Sequence, residues 1–113
     1  MVRRGKVIKG NLDSLLLCIL DQQPMYGYQI IRELKKRSQG YFEFKEGTLY
    51  PALHRLEKSG LVAGKWEMLA NGRPRRYYHL TAKGRARLTD ERTKWLDFLN
   101  AMNLIFQPAS YKG

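Results

Sequence analysis

Asn71-Gly72-Arg73-Pro74-Arg75-Arg76-Tyr77-Tyr78-His79-Leu80-Thr81 holds a turn, a strand and a helix cap in one short run. Asn71-Gly72 is a pair for which positive φ is cheap, so it marks a hairpin turn. Val62 to Leu69 reads as the strand before that turn, mixing small, charged and aromatic residues. Arg75 to Leu80 reads as the return strand. Tyr78 and Leu80 share a face and point inward, while Tyr77 faces the other way. Thr81 is a good N-cap for the helix that follows. The tip, Asn71 to Arg76, is strongly basic. A basic hairpin delivered straight into a long helix is the feature around which the rest of the chain is arranged.

Three helices precede the hairpin. Asn11 suits an N-cap and Asp13 a helix N-terminus, and Leu12, Leu15, Leu16, Ile19 and Leu20 recur at helical spacing. Gln22-Gln23-Pro24 ends this first helix. It is apolar around much of its girth, so it must be covered on more than one side. The second helix runs from about Tyr26 to Ser38, with Ile30, Ile31 and Leu34 inward and Gly40 as the stop. The third starts at Glu46 or at Thr48. Pro51 is easier to place in a first turn, which favours the late start. Leu49, Leu53 and Leu56 form its inner face, and Gly60 ends it. Its outer face carries Gly47, Thr48, Tyr50, Pro51, His54, Arg55 and Lys58, a set suited to base edges and phosphates.

The final helix spans Ala82 to about Phe106. Gly84 weakens its first turns by about 1 kcal/mol relative to alanine. Leu88, Trp95 and Met102 are spaced by seven, with Leu99 and Phe106 four residues after the last two. Leu96, Phe98, Leu104 and Ile105 widen the apolar surface. A helix this apolar needs a partner surface. The segments are therefore a basic arm at 1–9, a winged helix-turn-helix domain at 10–81, a helix at 82–107 and a tail at 108–113. The fold class is mainly α with a small β-hairpin, a winged helix-turn-helix plus a long C-terminal helix.

The 113 residues carry 21 Lys+Arg against 10 Asp+Glu, a net charge of +11. Its placement is uneven. Arg3, Arg4, Lys6 and Lys9 stand in an N-terminal stretch without an acid, and Arg73, Arg75, Arg76, Lys83, Arg85 and Arg87 stand in 71–89, again without an acid. The rest of the chain is nearly balanced. Two such concentrations suggest contact with a polyanion, and the arm adds sequence-independent phosphate attraction. The competing readings are an anionic membrane surface and a winged-helix adaptor that binds protein without DNA. A membrane surface would need apolar anchors beside Arg3 and Arg4, where only Val2, Val7 and Ile8 are available.

Other classes fall away. One cysteine, Cys18, permits no intramolecular disulfide framework and lies in an apolar run as a small core residue. No run is long enough to span a bilayer and no signal-peptide pattern is present, which points to a reduced, cytoplasmic, nucleoid-associated protein. No catalytic triad order, carboxylate cluster, phosphate-binding glycine loop or metal-ligand spacing occurs, so neither an enzyme nor a cofactor is expected. His54 has no partner at ligand spacing and reads as an outward polar contact, and His79 reads as a strand side chain.

Five blocks resemble PadR-type regulators, in order: Gly10-Asn11-Leu12-Asp13, Tyr26-Gly27-Tyr28-Gln29-Ile30, Gly47-Thr48-Leu49-Tyr50-Pro51-Ala52-Leu53, Leu56-Glu57-Lys58-Ser59-Gly60-Leu61 and Gly72 to Thr81. The resemblance covers about residues 9–84, and the single last helix is similar to that of the short subfamily. It implies a homodimeric repressor on double-stranded operator DNA. Thr48, Tyr50 and Pro51 would then sit at the groove, with His54 and Arg55 further along. Tyr26 and Tyr28 would lie near a phosphate, and Arg73, Arg75 and Arg76 would serve the wing. The dimer would be built by the first and last helices through Leu12, Leu15, Leu16, Ile19, Leu88, Trp95, Leu99, Met102 and Phe106. Some small members bind planar aromatic effectors between their last helices, which would place Trp95 and Leu99 against such a ligand.

Overall fold

The computed structural model describes residues 11–107. The basic arm with Arg3, Arg4 and Lys6, and the tail at 108–113, lie outside the described residues. The elements in chain order are α1 (Leu12–Leu20), β1 (Met25–Tyr26), α2 (Gly27–Arg37), α3 (Glu46–Lys58), β2 (Val62–Met68), β3 (Pro74–Leu80) and α4 (Ala82–Phe106).

Helix α1 is the hub. Its leucines spread around the cylinder because it packs against α2, α3, α4 and β3 together. Leu16 and Leu17 are fully enclosed with Ile30 of α2, Leu49 and Leu53 of α3 and Val62 of β2. This changes the expectation for the first helix. Leu12, Leu16 and Ile19, together with Leu88 of α4, are buried in the chain's own core and have no surface left to offer a second copy. The girth of apolar residues that suggested an external partner is covered from within. Asn11 occupies the N-cap position of α1 but makes no capping hydrogen bond through its side chain.

The sheet has three antiparallel strands in the order β1-β3-β2. Met25 pairs with Tyr78 and Tyr26 with Tyr77. A strand of two residues has no alternation to read, so only the tertiary pairing reveals β1, and α2 accordingly starts at Gly27. In the hairpin, Val62 lies opposite Leu80 and Met68 opposite Pro74. Tyr78 and Leu80 are buried, as their shared face requires. At the tip, Gly72 N–H donates to the Leu69 carbonyl (2.9 Å) and Leu69 N–H to the Arg73 carbonyl (2.8 Å). Within this tip, Gly72 is the residue that takes positive φ, at 84°. The connection is therefore a three-residue loop closed by a left-handed glycine, in place of a two-residue Asn-Gly turn. Asn71 Oδ1 accepts from Arg73 N–H (2.9 Å) and stiffens it.

Helix α3 begins at Glu46, earlier than Pro51 suggested. Pro51 lacks the N–H that would serve the Gly47 carbonyl. Gly47 and Pro51 are both exposed, so water can satisfy that carbonyl. The first turn is held by the Lys45 carbonyl, which accepts from Thr48 N–H (2.9 Å) and Leu49 N–H (3.0 Å).

Thr81 caps α4 as expected, its Oγ1 accepting from Gly84 N–H at 3.0 Å. Only Gly84 and Leu88 of α4 are buried. At 1.5 Å per residue the helix is about 37 Å long, so its last turns, beyond Leu99, extend past its contact with α1. Its far part exposes Leu96, Phe98, Leu99, Met102, Leu104, Ile105 and Phe106.

Candidate nucleic-acid interface

The outer face of α3 is open. Thr48, Pro51, His54 and Arg55 are exposed because Leu49, Ala52, Leu53 and Leu56 take the inner stripe. Tyr50 stands between the two faces. Its ring rests on the start of α2, where Gly27 leaves the room: a Cβ there would collide with the Tyr50 hydroxyl. Burial pushes the Tyr50 phenol above its ordinary value, with the Glu46 carboxylate adding to it, so it is a neutral hydrogen-bonding group at pH 7.

Beside it, α2, α3 and the hairpin enclose a groove of about 740 Å³. Tyr26, Tyr28, Tyr50, His54, Trp66 and Arg75 are among its lining residues. The Arg75 guanidinium lies 3.9 Å from the centroid of the Tyr26 ring, and Tyr26 meets Tyr77 edge-on at 5.5 Å. Arg32 sits 5.3 Å above Tyr28. Stacking holds these guanidinium planes without neutralising them, which suits them to phosphate oxygens. Trp66, 61% exposed, belongs to this groove, and the sequence pattern alone does not single it out. Its one signal is an aromatic on a strand, two residues from Gly64 and on the same face of β2.

The cations divide by partner. Arg55 donates to Asp13 Oδ1 of α1 (2.7 Å), and Arg85 reaches Asp21 Oδ1 (3.4 Å). Lys83 Nζ donates to the Ser59 carbonyl at 3.0 Å. Arg76 pairs with Glu57 of α3. Among the described residues, Arg73, Arg75 and Arg87 make no ion pair. The stretch 71–89 has no acid in it, yet the fold supplies acids from α1 and α3. Two of its six cations, Arg76 and Arg85, are paired with such acids, and Lys83 is held by a carbonyl, so half are engaged inside the chain.

A second cavity, of about 530 Å³, lies between α1 and α4. Ser14, Leu15, Cys18, Phe42, Trp95 and Leu99 are on its wall. Trp95 Nε1 donates to Ser14 Oγ (3.1 Å), and Ser14 Oγ donates to Glu91 Oε1 (2.6 Å). Phe98 meets the Trp95 ring edge-on at 5.6 Å. Cys18 is half-buried there rather than enclosed in the core. Trp95 and Leu99 thus meet at one wall, while Met102 and Phe106 lie further out on the exposed face. Among the described residues no group of His, Cys, Asp and Glu could hold a metal ion, and no helix is long and apolar enough to cross a membrane.

A helix-turn-helix with an exposed second member, flanked by a basic hairpin, defines the winged-helix class of transcriptional regulators. The family model for the PadR-like transcriptional regulators matches residues 16–90. The chain belongs to the PadR-like family. An uncharacterised protein of Lysinibacillus sphaericus is 32% identical over 104 residues, 92% of this chain and 95% of that one. The transcriptional regulator Rv3488 of Mycobacterium tuberculosis is 40% identical over 68 residues, 60% of each chain. A PadR-like regulator of Bacillus cereus superposes with a TM-score of 0.79 at 31% identity, covering 91% of this chain and 98% of its own. The Bacillus subtilis PadR solved with operator DNA gives 0.65 at 25% identity, over 75% of this chain and 46% of that one.

Proposed function

We propose that this chain is a dimeric repressor that reads duplex DNA with α3 and grips phosphates with the hairpin. The observation that carries the reading is the groove at the junction of α2, α3 and β3, where Arg75 lies over Tyr26 beside the open face of α3. Thr48, Tyr50, Pro51 and His54 supply groups for base edges and nearby phosphates. Arg73 and Arg75 supply the wing contacts, and Arg3, Arg4 and Lys6 a further phosphate attraction. The operator complex of the B. subtilis relative supports DNA as the partner.

Dimerisation falls to the far part of α4. Leu99 at 53% exposure, Ile105 at 81% and Phe106 at 73% form an apolar face that a second copy would cover. Leu15 and Trp95, at the α1–α4 cavity, border that face. Two copies would set their reading helices about 34 Å apart, one duplex turn, on a pseudo-palindromic site. A planar aromatic effector entering the α1–α4 cavity beside Trp95 and Leu99 would bias the spacing of the heads, provided it prefers one spacing.

The test is binding of the full chain to duplexes tiled across the region upstream of its own gene, over a range of salt. Arg75→Ala and Tyr50→Ala are each expected to weaken binding about five- to 150-fold, on the scale of about 1–3 kcal/mol per contact. Steep salt dependence is expected for wild type. Binding unaffected by both substitutions in folded protein would refute the recognition model and favour an adaptor that binds protein.

A further inference from the structure

Arg76 differs from the other wing cations in its surroundings. Alternation puts it on the inner face of β3 with Tyr78, while Arg75 and Tyr77 face the other way. Its guanidinium pairs with Glu57, close to the C-terminal end of α3, and the two side chains are only 28% and 29% exposed. Trp66, its partner in register on β2, has its ring centroid 5.5 Å from the guanidinium carbon, and the Tyr78 ring is at 5.6 Å. Gly64 clears the remaining side, since a Cβ there would collide with the guanidinium. A cation already neutralised by a carboxylate has little counterion release to give a phosphate. Pulling it away would also leave Glu57 half-buried without its partner.

We propose that Arg76 is a positioning residue and not a phosphate contact. With Glu57, Trp66 and Tyr78 it latches the wing to the reading helix and sets the angle between them. This rests on the DNA-binding reading above. A rigid angle lets α3 and the wing engage one duplex together, so the latch acts on affinity through geometry. Lysine cannot replace it, because an ammonium lacks the flat fork that the rings and the carboxylate hold.

The experiment compares full-length wild type, R75Q, R76Q, R76K and E57Q on the tightest-binding upstream duplex, across salt, with hydroxyl-radical footprinting. R75Q flattens the salt slope by about 0.9 for each phosphate that it no longer neutralises. R76Q weakens binding about tenfold, the scale of one broken coupled interaction, at the wild-type slope. Its protection over the wing flank fades while protection under α3 stays, whereas a merely destabilised protein would lose both in proportion. R76K behaves like R76Q, and E57Q weakens binding without flattening the slope. The proposal is overturned if R76Q flattens the slope as R75Q does, if R76K restores binding, if E57Q tightens it, or if R76Q binds as wild type. Wild type failing to bind any duplex would sink the DNA-binding reading and the latch together. A flattened slope in R76Q alone would sink only the latch.

Discussion

Gly84→Ala sets helix propensity against packing. Alanine is favoured over glycine by about 0.8–1.0 kcal/mol inside a helix and by at most that in the first turn where Gly84 lies, so propensity alone makes the variant more stable. The structure gives the opposite sign. A Cβ at Gly84 would collide with the Leu61 carbonyl oxygen and stand 2.8 Å from Leu80 Cδ1. That carbonyl is not free to yield. It accepts from Thr81 N–H (3.2 Å), and Leu61 N–H is held by the Leu56 carbonyl (2.9 Å). Moving it sacrifices a hydrogen bond worth about 1 kcal/mol and overpacks the junction at a cost of about 1–3 kcal/mol. After the propensity gain, a net loss of about 1–3 kcal/mol is expected, or about 5–15 °C in Tm for a domain of this size. Urea unfolding followed by far-UV circular dichroism, at one fixed protein concentration, measures it as a lower midpoint at unchanged slope. An equal or higher midpoint would refute the close approach of α4 to the Leu61 turn, and with it the direction in which α4 leaves the domain.

Three further outcomes are expected. Leu99→Glu should leave the fold intact, because Leu99 is exposed within the chain, and should convert dimer to monomer by light scattering; an unchanged mass would place the interface elsewhere. In a Trp66→Phe background, Ser14→Ala removes the acceptor of Trp95 Nε1, so the emission should shift to the red as water replaces it; an unmoved spectrum argues against the bond. Tyr50 has a folded pKa raised above its ordinary value of about 10, mainly by burial. Its contribution is therefore fully present below pH 10 and is lost as pH rises through the folded value. Absorbance titration near 295 nm should show a late phenolate component that Tyr50→Phe removes; its survival in that variant would assign it to another tyrosine.

Much of the architecture follows from local chemistry. The 3.6 periodicity in Leu49, Leu53 and Leu56, the Thr81 cap and the alternation of Tyr78 and Leu80 are all visible within a few residues of chain. So are the exposed Thr48, Pro51 and His54, since an inner stripe defines an outer one. Strand β1 is not legible there, because its two residues acquire strand character only by pairing with Tyr77 and Tyr78. The start of α3 reads too late from propensity, which penalises Pro51, while solvent access to the Gly47 carbonyl relieves the cost. Burial of Leu12, Leu16, Ile19 and Leu88 cannot be assigned from sequence to the chain itself or to a partner, since periodicity says that a face is covered and not by what.

The charge illustrates the same division. The sequence determined that cations concentrate in 71–89 and that the stretch itself holds no acid. Only the tertiary structure decided which of them stay available. Glu57 reaches Arg76 across 19 positions, and Asp21 reaches Arg85 across 64. Asp13, 42 positions away, takes Arg55 on the reading helix. Charge is a property of composition, but neutralisation is a property of distance in space. Arg75 lies against the Tyr26 ring and makes no ion pair, although Glu67 stands opposite it in register on β2, so its charge stays available for a phosphate.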